Sequence, residues 1–207
     1  KLPVVNTKKL FEEQLDKMAR RKLSPEVYIE LSEAIDSSKD TALISCFKSI
    51  SAGLSSDELT ASFAGSLYGG NAEQGVQIFY GGGAAQCVKC HVYNDYGGNA
   101  GPRLNGIASR LSRDQLLEAL IKPSARLAPG YGMITLETKD GKTIAGILQE
   151  ETDAGLKVNS GDEPAVLIKK DQVLKRINGN SSMPEMRYLL NKKEIRDVVG
   201  FLATLKE

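Results

Sequence analysis

Apolar residues recur every three or four positions between Thr7 and Gly70, a spacing that predicts several short amphipathic helices. Three further helices are predicted after Gly70, because an Asn or Ser followed three residues later by Glu or Gln is typical of a helix start. These capping pairs are Asn71 with Gln74, Ser112 with Gln115, and Asn191 with Glu194. The pattern therefore indicates a largely helical chain.

Glycines interrupt two of the predicted helices. Gly75 lies in the helix that follows Asn71, and Gly200 lies in the last helix. A glycine inside a helix costs about 1 kcal/mol relative to alanine. We expect these two helices to cross closely, because a close crossing would explain why both glycines are tolerated.

The period of the pattern changes between Pro129 and Asn178. Apolar and polar residues alternate from Met133 onward, and Asp140-Gly141 marks a tight hairpin turn. Further short apolar runs follow, separated by Asn, Ser, Gly and Asp. The segment from about 130 to 178 is therefore predicted to form a small antiparallel sheet of four or five strands. We expect it to be inserted into a helical domain, which makes the predicted fold class mainly α.

Composition excludes several classes of protein. The chain of 207 residues has 27 Lys and Arg against 26 Asp and Glu, a formal charge of +1. It has no extended runs of Lys and Arg, so its sequence gives no indication of binding to nucleic acid or to an anionic membrane. Its apolar runs fall far short of the ~20 residues that span a bilayer. Because it begins at Lys1 without a leader, we expect it to be a processed or excised piece.

The strongest chemical signal is a C-x-x-C-H string. The chain has three Cys and one His, and Cys87, Cys90 and His91 lie within it. Two thiols one turn apart can add to the two vinyl groups of a haem, and the adjacent imidazole then reaches the iron from one face. The string therefore predicts one covalently attached haem c.

Two other interpretations of the string are weaker. A structural zinc site needs four Cys or His ligands, and only the distant Cys46 remains as a fourth. A thioredoxin-like redox pair needs a preceding strand and a helix opening at the first Cys, whereas glycine-rich segments flank this string. We predict that Cys46 is a small buried hydrophobic residue.

A second axial ligand is expected from a methionine. Met183 follows a polar loop and precedes Pro184, so it should lie on irregular backbone from which its thioether can reach the iron opposite His91. Met186 is the alternative methionine, and a haem without a protein sixth ligand is the remaining possibility. Met18 and Met133 fall in helical and strand-like runs and are better explained as core residues.

The ordered motifs of the chain resemble those of the class I cytochromes c. They are Gly75-x-x-x-Phe79, Cys87-Val-Lys-Cys-His91, Gly101-Pro-Arg-Leu-Asn-Gly-Ile107, Met183-Pro184 and a closing helix from Glu194 to Leu205. More narrowly, residues 69–207 are similar to the haem-binding domain at the C-terminus of large dehydrogenase-like proteins of planctomycetes and verrucomicrobia. Residues 1–68 look like the end of a helical-repeat region.

This resemblance implies a set of site residues. It implies thioether bonds from Cys87 and Cys90, iron ligation by His91 and Met183, and a carbonyl of Pro102 that accepts the other imidazole N–H. It further suggests haem contacts from a group of wall residues and a propionate contact from an arginine. The wall residues are Tyr93, Leu104, Ile107, Leu117 and Leu120, and the arginine is Arg103 or Arg110.

A six-coordinate haem with no nucleophile–base pair nearby predicts one-electron transfer rather than catalysis by this chain alone. The expected electron donor is a fused or partner dehydrogenase. A haem-based sensor with a displaceable sixth ligand is the alternative function, and an interaction scaffold that grips a partner through the sheet is a third. Covalent haem also implies a periplasmic or otherwise extracytoplasmic location.

Overall fold

The computed structural model of the chain describes residues 4–53, 57–81, 83–161 and 164–207. Lys1 therefore lies outside the described residues. The chain divides into two compact units, each built from separate stretches of sequence. The first unit comprises Lys1–Gln86, Gly106–Leu117 and Arg187–Glu207, and the second comprises Cys87–Asn105 and Glu118–Met186.

Helices dominate the first unit. They are α1 (Val4–Ala19), α2 (Tyr28–Ser38), α3 (Thr41–Ala52), α4 (Glu58–Ser62), α5 (Ala72–Tyr80), α6 (Ile107–Arg110), α7 (Arg113–Ile121) and α8 (Lys192–Leu202), with the last four residues of α7 assigned to the second unit. Short 3-10 turns cover Pro25–Val27, Ala64–Ser66, Cys87–Lys89, Lys170–Gln172 and Met186–Tyr188.

The three longest N-terminal helices pack around a common apolar cluster. Its buried members are Leu15, Met18, Tyr28, Leu31, Ile35 and Leu43. Met18 is thus a core residue, as its helical spacing predicts, whereas the same prediction for Met133 is wrong, because Met133 is 52% exposed. The prediction for Cys46 is wrong, because its side chain is exposed. Cys46 lies on the flank of the apolar stripe of α3, outside the face that Leu43 and Phe47 present to the cluster.

The predicted close crossing of the two glycine-containing helices is confirmed. A Cβ atom added to Gly75 of α5 would lie 2.2 Å from the Asp197 carbonyl oxygen and 2.6 Å from the Phe201 Cβ of α8. A Cβ added to Gly70 would lie 2.1 Å from the Arg196 carbonyl oxygen of α8, and one added to Gly200 would lie 3.1 Å from the backbone of Gly70. The rings of Phe79 and Phe201 pack beside this crossing with their centroids 5.6 Å apart.

The predicted helix starts are also confirmed. The side chain of Asn71 accepts the N–H groups of Glu73 and Gln74 at the start of α5. Asn191 and Glu194 form a reciprocal capping box at the start of α8. At the start of α7, Ser112 and Gln115 exchange side-chain hydrogen bonds with each other's backbone N–H groups.

The last helix is tied to the N-terminal helices by charge. The guanidinium of Arg196, whose side chain is 13% exposed, lies 2.9 Å from a carboxylate oxygen of Glu30. It also donates to the backbone carbonyl of Glu26 at 3.1 Å. Residues before and after position 69 therefore belong to one compact unit. Whether residues 1–68 are a separate repeat-derived domain stays a prediction.

The second unit contains one antiparallel sheet. Its strands are β1 (Met133–Thr138), β2 (Thr143–Glu151), β3 (Gly155–Asn159), β4 (Val166–Lys169) and β5 (Val173–Asn178), in the order β4-β3-β2-β1-β5. In β1, Leu136 pairs with Ile144 on one side and Arg176 on the other. One face of the sheet builds an apolar cluster from Leu127, Ile134, Leu136, Leu148, Leu156, Val158 and Ile168.

The prediction of a mainly α cytochrome fold is wrong. Of the described residues, 46% are helical and 16% lie in strands, which makes the chain a mixed α and β protein. The sheet lies where the alternation of the sequence predicts strands. It has five strands and a buried apolar cluster of its own, so helices alone do not define the fold.

Among the described residues, no helix is long and apolar enough to pass through a bilayer.

Candidate functional site

The C-x-x-C-H string forms a single tight turn in the second unit. The 3-10 turn Cys87–Lys89 is followed by two bonds to the Cys87 carbonyl, from the N–H of Cys90 at 3.1 Å and from that of His91 at 2.9 Å. Residues spaced three and four positions apart on such a turn share one face. The three side chains that would hold a haem therefore project from one side of a compact, hydrogen-bonded segment.

The two thiols lie in different environments. Cys90 is exposed, whereas burial raises the pKa of the Cys87 thiol to about 11. A redox-active dithiol needs a thiol pKa below the ordinary value, so that a thiolate attacks at neutral pH. The surroundings of Cys87 act in the opposite direction, which disfavours the thioredoxin-like interpretation of the string.

The orientation of His91 is fixed by the carbonyl of Pro102. The His91 Nδ1 atom lies 2.8 Å from the Pro102 oxygen. A carbonyl oxygen can only accept, so Nδ1 carries the proton and the Nε2 lone pair is left available. An imidazole prepared in this way has the protonation that metal ligation requires, and the Pro102 carbonyl that accepts from Nδ1–H strengthens it as a ligand.

Glycines allow the chain to fold closely around His91. A Cβ at Gly101 would lie 2.6 Å from His91 Cε1 and 2.9 Å from Nδ1, so the imidazole ring rests directly on the Gly101 backbone. Gly97, with φ of +125°, and Gly98 pack equally closely against the carbonyl oxygens of His91 and Lys89. A side chain at Gly101 would meet the ring, and one at Gly97 or Gly98 would meet the backbone of the string. Together with the available Nε2, these close approaches mean that the residues present fit a haem attached at this turn.

Met183 lies on irregular backbone between β5 and the turn Met186–Tyr188. The loop is anchored, because Met183 N–H donates to the Ser181 hydroxyl at 3.1 Å and Ser181 N–H donates to the Ser124 hydroxyl at 3.0 Å. The Asn178 amide donates to the carbonyl of Ser124 as well. Met183 is half-buried, whereas Met186 is 3% exposed and fully packed. Of the two methionines, Met183 has the more accessible thioether.

The remaining predicted site residues divide between the units. Leu104 is buried in the second unit, and its N–H donates to the Val92 carbonyl at 2.9 Å. Ile107 is a buried residue at the start of α6 in the first unit. Arg103, one of the two candidates for a propionate contact, pairs with the Asp95 carboxylate. The structure thus places Cys87, Cys90, His91, Pro102, Leu104 and Met183 in the second unit and Ile107 in the first.

Sequence reasoning missed the polar contacts behind the string. Asn94 and Asp95 have φ angles of 49° and 59°, and the Asn94 side chain pairs with that of Asn105. Asn and Asp are the non-glycine residues that most readily adopt positive φ, so the Asn94-Asp95 pair is a signal for a tight turn. The partner Asn105 lies in a different segment, and no local pattern indicates it.

Comparison of the sequence with protein-family models and with curated proteins finds no match. Within the described ranges, no group of three or more His, Cys, Asp or Glu side chains converges to hold a metal ion. The geometry around Cys87, Cys90 and His91 is therefore the feature of the chain that indicates a function.

Proposed function

We propose that this chain is a c-type cytochrome that carries single electrons on one haem. In this proposal Cys87 and Cys90 hold the haem through thioether bonds, and His91 and Met183 ligate its iron. The observation that carries the proposal is the His91 Nδ1 to Pro102 oxygen bond of 2.8 Å, which prepares Nε2 as a ligand beside two correctly spaced thiols. The Gly101 backbone, which packs directly against the ring, supports that orientation.

When bound, the haem supplies an iron that changes between its ferric and ferrous states by accepting or releasing one electron. The residues of the chain hold the geometry constant during this change. Pro102 fixes the imidazole plane, and the Ser181 and Ser124 contacts anchor the loop that carries Met183. A thioether ligand favours the ferrous state and so raises the reduction potential.

The partner that we propose is a dehydrogenase, fused to this chain or separate from it, that delivers the electrons. Covalent haem attachment favours a periplasmic or other extracytoplasmic location. This chain alone is proposed to be an electron carrier and not an enzyme, and the reaction that releases the electrons is assigned to the donor.

The first experiment measures haem attachment. We expect the chain, matured in a bacterial host with a cytochrome c assembly system, to gain the mass of one haem and to give a pyridine-haem spectrum typical of thioether linkage. Cys87→Ala and Cys90→Ala should each reduce covalent loading by at least about ten-fold. Cys46→Ala is the matched control and should load normally. A wild-type chain with the mass of the bare polypeptide would contradict the proposal.

The second experiment tests the sixth ligand. Methionine bound to ferric haem gives a weak far-red absorption band, and we expect Met183→Ala to abolish this band while Met133→Ala retains it. Met133 is the control because it is an exposed strand residue. Retention of the band in Met183→Ala would show that Met183 is not the ligand. A wild-type spectrum that changes under carbon monoxide would instead favour a sensor in which the sixth ligand is displaced.

A further inference from the structure

A short hairpin follows the C-x-x-C-H string. The N–H of Tyr93 donates to the Tyr96 carbonyl at 3.0 Å, and the N–H of Tyr96 donates to the Tyr93 carbonyl at 3.2 Å. The two residues between them, Asn94 and Asp95, both have positive φ. This combination defines a tight two-residue hairpin turn, which has one well-determined backbone conformation.

The side chain of Asn105 binds the tip of this hairpin twice. Its Oδ1 accepts the backbone N–H of Asn94 at 3.1 Å, and its Nδ2 donates to Asn94 Oδ1 at 3.1 Å. Arg103 adds an ion pair with Asp95. That ion pair is exposed on both sides, and such pairs contribute little. Half-buried Asn105 therefore joins the hairpin to the segment that contains Pro102 through two directed hydrogen bonds.

The same two segments are joined on both sides of Pro102. Before it, Gly101 N–H donates to the Cys90 carbonyl at 2.8 Å, and after it, Leu104 N–H donates to the Val92 carbonyl at 2.9 Å. The Asn105 contact is the outermost member of this series. Loss of that contact leaves these backbone bonds in place but removes the side-chain brace beside Leu104, so we expect the Pro102 carbonyl to be held less tightly at its distance from His91 Nδ1.

We propose that Asn105 is a positioning residue that, through Asn94, keeps His91 in its Nδ1–H tautomer. The tautomer of a histidine is set by the hydrogen bond that one ring nitrogen makes, so a well-held Pro102 carbonyl leaves Nε2 unprotonated. In the proposed function, on which this inference rests, Nε2 is the atom that binds iron. Asn105 would thus prepare the ligand atom without contacting it.

The tautomer can be measured directly in the full-length chain without haem. The chain has one histidine, so nitrogen-15 labelling of histidine gives signals from His91 alone. In mildly alkaline buffer we expect wild-type signals of a protonated Nδ1 and an unprotonated Nε2. Asn105→Ala should shift the tautomer ratio toward Nε2–H by up to about five-fold, the change expected if the Pro102 hydrogen bond were lost entirely.

Two further variants keep the test decisive if Asn105→Ala folds poorly. Asn94→Gly retains the N–H and suits the positive φ but removes the Oδ1 acceptor, so it should shift the tautomer ratio in the same direction. Asn105→Asp retains the acceptor for the Asn94 N–H and should shift it less. Asn99→Ala, at an exposed position of the same loop, is the matched control and should give wild-type signals. If both Asn105→Ala and Asn94→Gly fold and both give the wild-type ratio of His91 tautomers, the proposal is overturned.

The matured protein provides an independent measurement. Weaker donation from Nδ1 makes the imidazole a poorer ligand for ferric iron, so Asn105→Ala and Asn94→Gly should shift the reduction potential to more positive values. A chain that carries no haem but shows the tautomer shift would refute the proposed function and leave the positioning role of Asn105 intact. A haem-loaded chain whose variants shift neither tautomer nor potential would refute the positioning role alone.

Discussion

Gly101 determines how closely the backbone approaches the imidazole of His91. Its Cα carries the hydrogen that the ring rests on, and any larger group would displace the ring from the Pro102 carbonyl. The C-x-x-C-H string could be predicted because its chemistry depends on spacing alone. The roles of Gly101 and Asn105 could not, since both depend on contacts between segments that are separated in sequence.

Gly101→Ala should impair the site. The new Cβ would lie 2.6 Å from His91 Cε1, so the ring must move and the Nδ1 hydrogen bond is lost. We expect covalent haem loading to fall about ten-fold and the free energy of unfolding of the haem-free chain to fall by about 2 kcal/mol. Gly83→Ala is the control, because no atom lies within 4 Å of its added Cβ. Normal loading of Gly101→Ala would disprove the close contact.

At the level of elements, local chemistry determined what the sequence could predict. The starts of α5, α7 and α8 follow from capping pairs, and the first hairpin follows from Asp140-Gly141. A sheet of four or five strands was predicted, but the fold class was not, because the alternation of single strands does not show that they bury an apolar cluster of their own. The order of the five strands follows from pairings between segments that are separated in sequence, and the shared apolar cluster is built from several of these strands together.

The crossing of α5 and α8 makes two glycines respond differently to the same substitution. Alanine raises helix propensity by about 1 kcal/mol at either position. At Gly75 the added Cβ would overlap the backbone of α8, so Gly75→Ala should lower the free energy of unfolding by about 3 kcal/mol. At Gly200 the added Cβ would lie 3.1 Å from its nearest neighbour, the backbone of Gly70. The free energy of unfolding of Gly200→Ala should therefore stay within about 1 kcal/mol of wild type. Denaturant titrations of both variants would test this, and equal effects would contradict it.

The hairpin between β1 and β2 should give the protein an acid-sensitive element. Hydrogen bonds from Lys142 and Thr138 hold the pKa of the Asp140 carboxyl down at about 2. A lowered pKa means that the ionised carboxylate stabilises the folded state above the ordinary carboxyl pKa, and that this contribution is lost as pH falls toward 2. Asp140→Asn should be less stable than wild type at neutral pH, and the difference should vanish near pH 2. A difference independent of pH would exclude the ionic cause.

For the molecule as a whole, the near-balance of charge predicts how it meets small redox reagents. Because the polypeptide has a formal charge of only +1 and one haem would change it by no more than about two, the haem-loaded protein should react with anionic and cationic reagents at rates that change less than about three-fold with ionic strength. Lys89→Glu, at an exposed position inside the string, should slow the anionic reagent and accelerate the cationic one. Stopped-flow traces at low and physiological salt would measure this. A steep salt dependence for wild type would reveal a local charged patch.

The guanidinium of Arg196 has a practical consequence for recombinant work. It is almost hidden from solvent, and its carboxylate and carbonyl partners lie on Glu30 and Glu26. A gene shortened to begin at residue 69 would remove both partners of this cation and expose one side of the last helix to solvent. Trimming the N-terminal helices to simplify production should therefore yield aggregating material, so the shortest useful expression product retains them.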